Sequence, residues 1–193
     1  MKDNQAVLQQ YVGDMLAVDR HIHETVRRQR DDKQVQADAE AHQLLSRVES
    51  TFDALIEEME QLLGELGGSA SSPVKDAVAS TVGAVGSMYD KLRSETISKM
   101  LRDDYTALGL AAISYTMLNT TGYALHDPAT AQTAARHLRQ ITPLVTGISR
   151  LMPLAVAREL ADEHHVDSSA APQSVRETQL AWSVEVTGQN IYA

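Results

Sequence analysis

The stretch VQADAEAHQLLSRVESTFDALIEEMEQLLGEL, Val35 to Leu66, decides the fold. Leu44, Val48, Phe52, Leu55, Met59, Leu62 and Leu66 recur at steps of three and four. That spacing lines one face of a helix with apolar side chains. No proline interrupts it, so the pattern predicts one long helix over Val35 to Leu66. The residues that follow, GGSASSP at 67–73, stop it. Ser72 suits an N-cap and Pro73 the first turn of a further helix.

The same reading extends in both directions. Upstream, Leu8, Tyr11, Met15, Val18, Ile22 and Val26 predict a helix from Asn4 to Arg30, closed by the polar turn Asp31-Asp32-Lys33. Downstream, Val74, Val78, Thr81, Val85, Met88, Tyr89 and Leu92 form the stripe of a third segment. Near Ser98 to Arg102 the stripe changes phase, and Leu101, Leu108, Ala111, Tyr115 and Leu118 continue on another face. A kink, a short break or a change of packing partner would each produce that shift. Asp127 before Pro128 marks the next start. The last long helix is predicted over Pro128 to His165, with Leu138, Ile141, Val145, Ile148, Met152, Val156 and Leu160 inward. Pro143 and Pro153 should bend or divide it. Ser168 to Pro172 reads as a linker, and the tail beyond it carries Val175, Trp182 and Val186.

The expected fold is therefore all-α. It is an antiparallel four-helix bundle over residues 1–166, with an inserted helix between the two helix pairs, then a linker and C-terminal tail over 167–193. Composition agrees with a single folded domain. The chain has 193 residues, 43% of them apolar, and enough length to bury a core. It has no cysteine, which excludes a disulfide scaffold, a thiolate metal site and a cysteine nucleophile. Its net charge of −9 argues against nucleic-acid binding, which needs clustered lysine and arginine. The longest nearly uncharged apolar run, Leu108 to Leu118, is too short to span a bilayer. No signal sequence is recognisable at Met1, so the expected location is cytoplasmic, with no membrane partner.

Enzymatic motifs are missing. The glycines at 64, 67, 68, 83 and 86 lack the lysine and the strand of a phosphate loop, and no Gly-x-Ser-x-Gly elbow exists. No glutamate is followed by histidine three residues on, the spacing that paired-metal bundles use; Asp162 and His165 form the nearest variant. Acids on apolar faces are the remaining signal, because a buried carboxylate needs a cation or a hydrogen-bond partner. Asp19, with His23 one turn on, Glu49, Asp104 and Glu159 meet that description. They read either as convergent metal ligands or as separately satisfied acids. In the second case Asp19 would bond His23 or a tyrosine hydroxyl, Asp103-Asp104 would open a helix, and Glu159 would pair with an arginine or lysine. His42, His137 and His164-His165 fall off the stripe centres and are expected on the surface. Tyr105, Tyr115 and Tyr123 are expected in or at the edge of the core.

The segment order, with Val48-Glu49 through Gly64-Glu65-Leu66-Gly67 and Ile113-Ser114-Tyr115 through Gly122-Tyr123-Ala124-Leu125, resembles the ferritin-like superfamily. Within it the chain is most similar to the bacterial stress-associated YciF-like branch, over roughly residues 5 to 165. The resemblance implies two long helices, an inserted helical segment and two more long helices around a di-iron centre. Where the branch would carry Glu-x-x-His, this chain has Glu49-Ser50-Thr51-Phe52, and of the ligand types only Glu49 matches. The expected function is thus a ferritin-like bundle without ferroxidase activity, in a stress-related or scaffold and interaction role, as a homodimer or higher homo-oligomer. The tail around Trp182 is a candidate contact. The alternative is a metal-binding bundle of di-iron or di-manganese type, holding Fe or Mn on Asp19, His23, Glu49, Asp104 and Glu159.

Overall fold

The computed structural model describes residues 3–69, 96–167 and 169–182. Six helices cover them: α1 Asn4–Arg30, α2 Lys33–Ala37, α3 Ala39–Glu65, α4 Ile97–Ala124, α5 Pro128–Glu163 and α6 Ala170–Trp182. Among the described residues there is no strand, and no helix is long and apolar enough to cross a membrane. The expected inserted helix over the stripe Val74 to Leu92 lies outside the described residues.

α1 has the bounds its stripe predicts. The long helix expected over Val35 to Leu66 is instead divided at Asp38. Asp38 is extended, φ −101° and ψ 102°, and its carboxylate accepts from the backbone N–H of Glu40 and of Ala41. It caps α3 as Asp32 caps α2, and it also accepts from Arg158 on α5 at 2.6 Å. Local capping wins over an apolar period that runs through the break, because the side chain satisfies two otherwise orphaned donors. α3 ends in a Schellman turn. Gly67 takes φ 77°, its N–H bonds the Gly64 carbonyl, and the Gly68 N–H bonds the Leu63 carbonyl.

The phase shift near Ser98 has a simple cause: a helix begins there, at Ile97, after the extended residue Thr96. Between α4 and α5 the turn repeats the Schellman pattern with a histidine. His126 sits at φ 61°, its N–H bonds the Tyr123 carbonyl, and the Asp127 N–H bonds the Gly122 carbonyl. Asp127 then caps α5 by accepting from the Thr130 N–H. α5 is not divided; it runs 36 residues through Pro143 and Pro153. Pro143 lies on the exposed side, where water can replace the missing donor. The expected linker is also shorter. Ala170 to Pro172 already form the first turn of α6, which packs on α5. The side chain of Trp182 and the residues after it lie outside the described ones.

The four long helices close a ring by their contacts: α1 with α3, α3 with α5, α5 with α4, and α4 with α1. Inter-helix bonds give the directions. Gln5 and Gln9 donate to the Leu66 carbonyl while Arg30 reaches Glu49, so α1 and α3 are antiparallel. Asn119 bonds the Ala131 carbonyl while Ser98 bonds Glu159, so α4 and α5 are antiparallel. Arg136 meets Glu58 while Arg158 meets Asp38, so α3 and α5 are antiparallel as well. It follows that α3 and α4 point the same way. Phe52, Leu55, Met59, Leu101, Leu108, Leu118, Ile141 and Ile148 fill the interior.

Candidate functional site: a polar network at the bundle centre

Three of the four long helices each deliver one polar side chain to the apolar interior, and α3 meets them with a half-buried glutamate at its edge. α1 supplies Asp19, α3 Glu58, α4 Tyr115 and α5 His137. Asp19, Tyr115 and His137 are wholly buried. The Tyr115 hydroxyl donates to Asp19 Oδ2 at 2.5 Å. The Tyr115 ring meets the His137 imidazole edge-on, with centroids 5.1 Å apart. His137 Nε2 lies 3.0 Å from Glu58 Oε2, which also accepts from Arg136 at 2.7 Å. Glu58 and Arg136 carry the chain of contacts out to solvent.

Electrostatics follow from burial. Loss of water pushes the Asp19 carboxyl up to about 7, against the opposing effect of the Tyr115 hydrogen bond. Burial, and then the neighbouring Asp19, push the Tyr115 phenol well above its usual range. Burial also lowers the His137 pKa, outweighing its bond to Glu58. Burial works to raise Glu58, but the hydrogen bonds from Arg136 and His137 prevail and hold it low. The stable arrangement near neutral pH is an ionised Glu58 accepting from a neutral His137 that carries its proton on Nε2. Tyr115 stays protonated, and Asp19 is protonated below about pH 7.

The four acids and one histidine expected as ligands do not converge. Asp19 belongs to the central network through Tyr115, the tyrosine-hydroxyl alternative among its readings. His23 Nε2 faces Asp53 at 2.8 Å. Glu49 accepts from Arg30; Arg30 is eleven residues past Asp19, about 16 Å along the axis. Asp104 is fully buried, but α4 starts seven residues before it, so it does not open a helix. Among the described residues Glu159 pairs with no lysine or arginine. It accepts from the Ser98 N–H at 2.7 Å and from the Ser98 hydroxyl at 2.6 Å, and so caps α4 from the neighbouring helix. Among the described residues no group of three His, Asp or Glu side chains could hold a metal ion.

The chain matches no family model, no curated protein and no solved structure.

At the centre itself, Asp19 Oδ1 and His137 Nδ1 are buried without a hydrogen-bond partner among the described residues. Two such atoms fall short of the three protein ligands that even an open catalytic zinc site uses. The residues present therefore do not fit the di-iron centre that the resemblance implies. Sequence reasoning missed two members of the network. His137 was expected on the surface because the inward stripe was begun at Leu138. The wholly buried positions are Ala134, His137, Ile141 and Ile148, so His137 lies one turn before Ile141, which the stripe already contained, and the 3-4 spacing was present in the sequence. Glu58 stands beside Met59, and only its bond to buried His137 distinguishes it from the acids around it. Tyr123, expected near the core, is 60% exposed.

Removing the Tyr115 hydroxyl isolates the central bond. Tyr115→Phe keeps the ring but leaves Asp19 buried without its donor, at a cost of about 1 to 3 kcal/mol. The loss should be greater at pH 8.5 than at pH 5, because the hydroxyl is then withdrawn from a charged acceptor. Urea unfolding of both proteins at the two pH values checks this.

Proposed function

We propose that this chain is a ferritin-like bundle whose central site has become a structural hydrogen-bonded network, and that it works as a self-associating scaffold or interaction protein, not as a ferroxidase. The observation that carries the reading is the Tyr115–Asp19 bond. It takes the carboxylate a metal would need and turns it into a neutral helix-to-helix link. The parallel course of α3 and α4, with antiparallel pairs on either side, supports the ferritin-like arrangement. The test is metal content of protein purified without a tag or chelator and offered iron, manganese and zinc in turn. The expected result is well under one ion per chain. About two ions per chain would return the chain to the metal-binding reading.

Self-association has a surface suited to it. From Thr106 to Ala124, α4 carries no charged residue, yet Ile113 and Met117 on it are more than half exposed. Beside Met117, Val7 and Tyr11 of α1 complete a mostly apolar groove. On a chain of net charge −9, two copies repel except where charge is absent, so a second copy is the occupant this face fits. Sedimentation equilibrium should give twice the chain mass. Met117→Glu should raise the dimer dissociation constant at least tenfold, and an unchanged constant would remove this face from the account.

A further inference from the structure

Helix α6, the last among the described residues, spans a hollow. Two adjoining cavities, of 530 and 740 Å3, lie between α6 and the α4–α5 pair and share Tyr105, Ser149 and Thr178 in their walls. The smaller is walled mainly by apolar side chains, among them Ile148, Met152, Val156 and Leu160. The larger contains Arg150 and Arg176, from α5 and α6. Both volumes fall within the range of small-molecule pockets, about 300 to 1,000 Å3.

Charge separates this trough from the rest of the molecule. The chain has 26 acidic residues against 17 basic, yet the described walls of both cavities contain three arginines and no aspartate or glutamate. Arg102 is engaged by Asp103. The other ion-paired arginines of the described residues are Arg20, Arg28, Arg30, Arg136 and Arg158, so Arg150 and Arg176 belong to no ion pair there. An apolar slot continuous with two uncommitted guanidinium groups has the chemistry of a receptor for an amphiphile with an anionic head. Guanidinium forks bind carboxylates in two-point geometry, and apolar walls take up the tail.

We propose that the trough under α6 binds one long-chain carboxylate, with its alkyl chain along Ile148, Met152 and Val156 and its head between Arg150 and Arg176. This is independent of the central network, since Asp19, Glu58, Tyr115 and His137 line neither cavity.

The test is titration of the full chain with dodecanoate below its micelle concentration, followed by calorimetry and native mass spectrometry. Dodecanol and dodecyltrimethylammonium serve as neutral and cationic controls. Dodecanoate should bind saturably at one per chain. Shortening to decanoate should weaken it roughly tenfold, as expected for two buried methylenes. The cationic control should not saturate. R150Q/R176Q, with its melting temperature compared to the parent to establish folding, should lose about tenfold for dodecanoate and nothing for dodecanol. Three results would each overturn the proposal: no saturable binding of dodecanoate, equal affinity for the cationic amphiphile, or an unchanged affinity in folded R150Q/R176Q. Binding to anionic phosphatidylglycerol vesicles with none to free dodecanoate would likewise overturn it, in favour of a membrane surface.

Discussion

Asp19→Asn should make the protein more stable at pH 8.5 relative to the parent than at pH 5. The sign follows from linkage. Folding raises the Asp19 carboxyl from 3.8 to about 7. Between those values the unfolded chain has released the proton that the folded chain keeps, so rising pH favours unfolding. The penalty is absent below the unfolded value, grows through pH 4 to 7 and is complete above pH 7. Its full size is on the order of 4 kcal/mol for a shift of this extent. Asparagine has no proton to lose, and its carbonyl can still accept from the Tyr115 hydroxyl. His137 contributes in the opposite direction. Its lowered folded pKa means stability is lost as pH falls through the usual histidine range. Both proteins contain His137, so the difference between them isolates Asp19. Chemical denaturation of parent and variant at pH 5 and pH 8.5 measures it. A difference independent of pH would mean that Asp19 is ionised in the folded state.

The second large effect is steric. Gly122 lies at the corner where α4 turns into α5, and a Cβ placed there would stand 2.6 Å from the Ala131 nitrogen and 3.0 Å from its Cα. Those are backbone atoms of the facing helix. They cannot swing aside as a side-chain tip could. The corner is also tied by the Asp127 N–H on the Gly122 carbonyl and by Asn119 on the Ala131 carbonyl. Gly122→Val must therefore separate the two helices or break these bonds, at about 3 kcal/mol. For a chain of this length that lowers Tm by about 6 to 12 °C. Gly109 supplies the control. It is in the same helix with nothing within 4 Å of its Cβ position. Gly109→Ala should be neutral or stabilising by up to about 1 kcal/mol. Thermal melts of the two variants compare the positions directly.

These two sites also mark where sequence reading works and where it stops. The helical class and the bounds of α1 follow from period alone, because six apolar residues at 3-4 spacing admit one face. Asp127-Pro128 gave the start of α5 for a local reason, a cap followed by a residue with no donor to lose. Asp38 did not stand out, since a cap inside a continuing apolar period has no signature until its carboxylate is seen on two backbone N–H groups. The central network was half legible. Asp19 and Tyr115 lie on apolar stripes and were marked as inward. His137 was not, because both His137 and Leu138 stand about one turn before Ile141, and the apolar residue of the two was taken as the start of the stripe. Glu159 shows the remaining difficulty. An acid on an apolar face announces that it needs a partner. Whether that partner is a metal, an arginine or the open end of another helix depends on which residues the bundle brings to its level.

We propose that Asp19 is a neutral, hydrogen-bonded link between helices and not a metal ligand. Carbon-13 NMR of the Asp19 carboxyl, assigned by its loss in Asp19→Asn, tests it most directly when titrated from pH 4 to pH 9 with and without Mn(II). The expected result is a midpoint near 7 and a resonance that substoichiometric Mn(II) leaves sharp. A midpoint near 4, or selective broadening of that resonance by Mn(II), would contradict it.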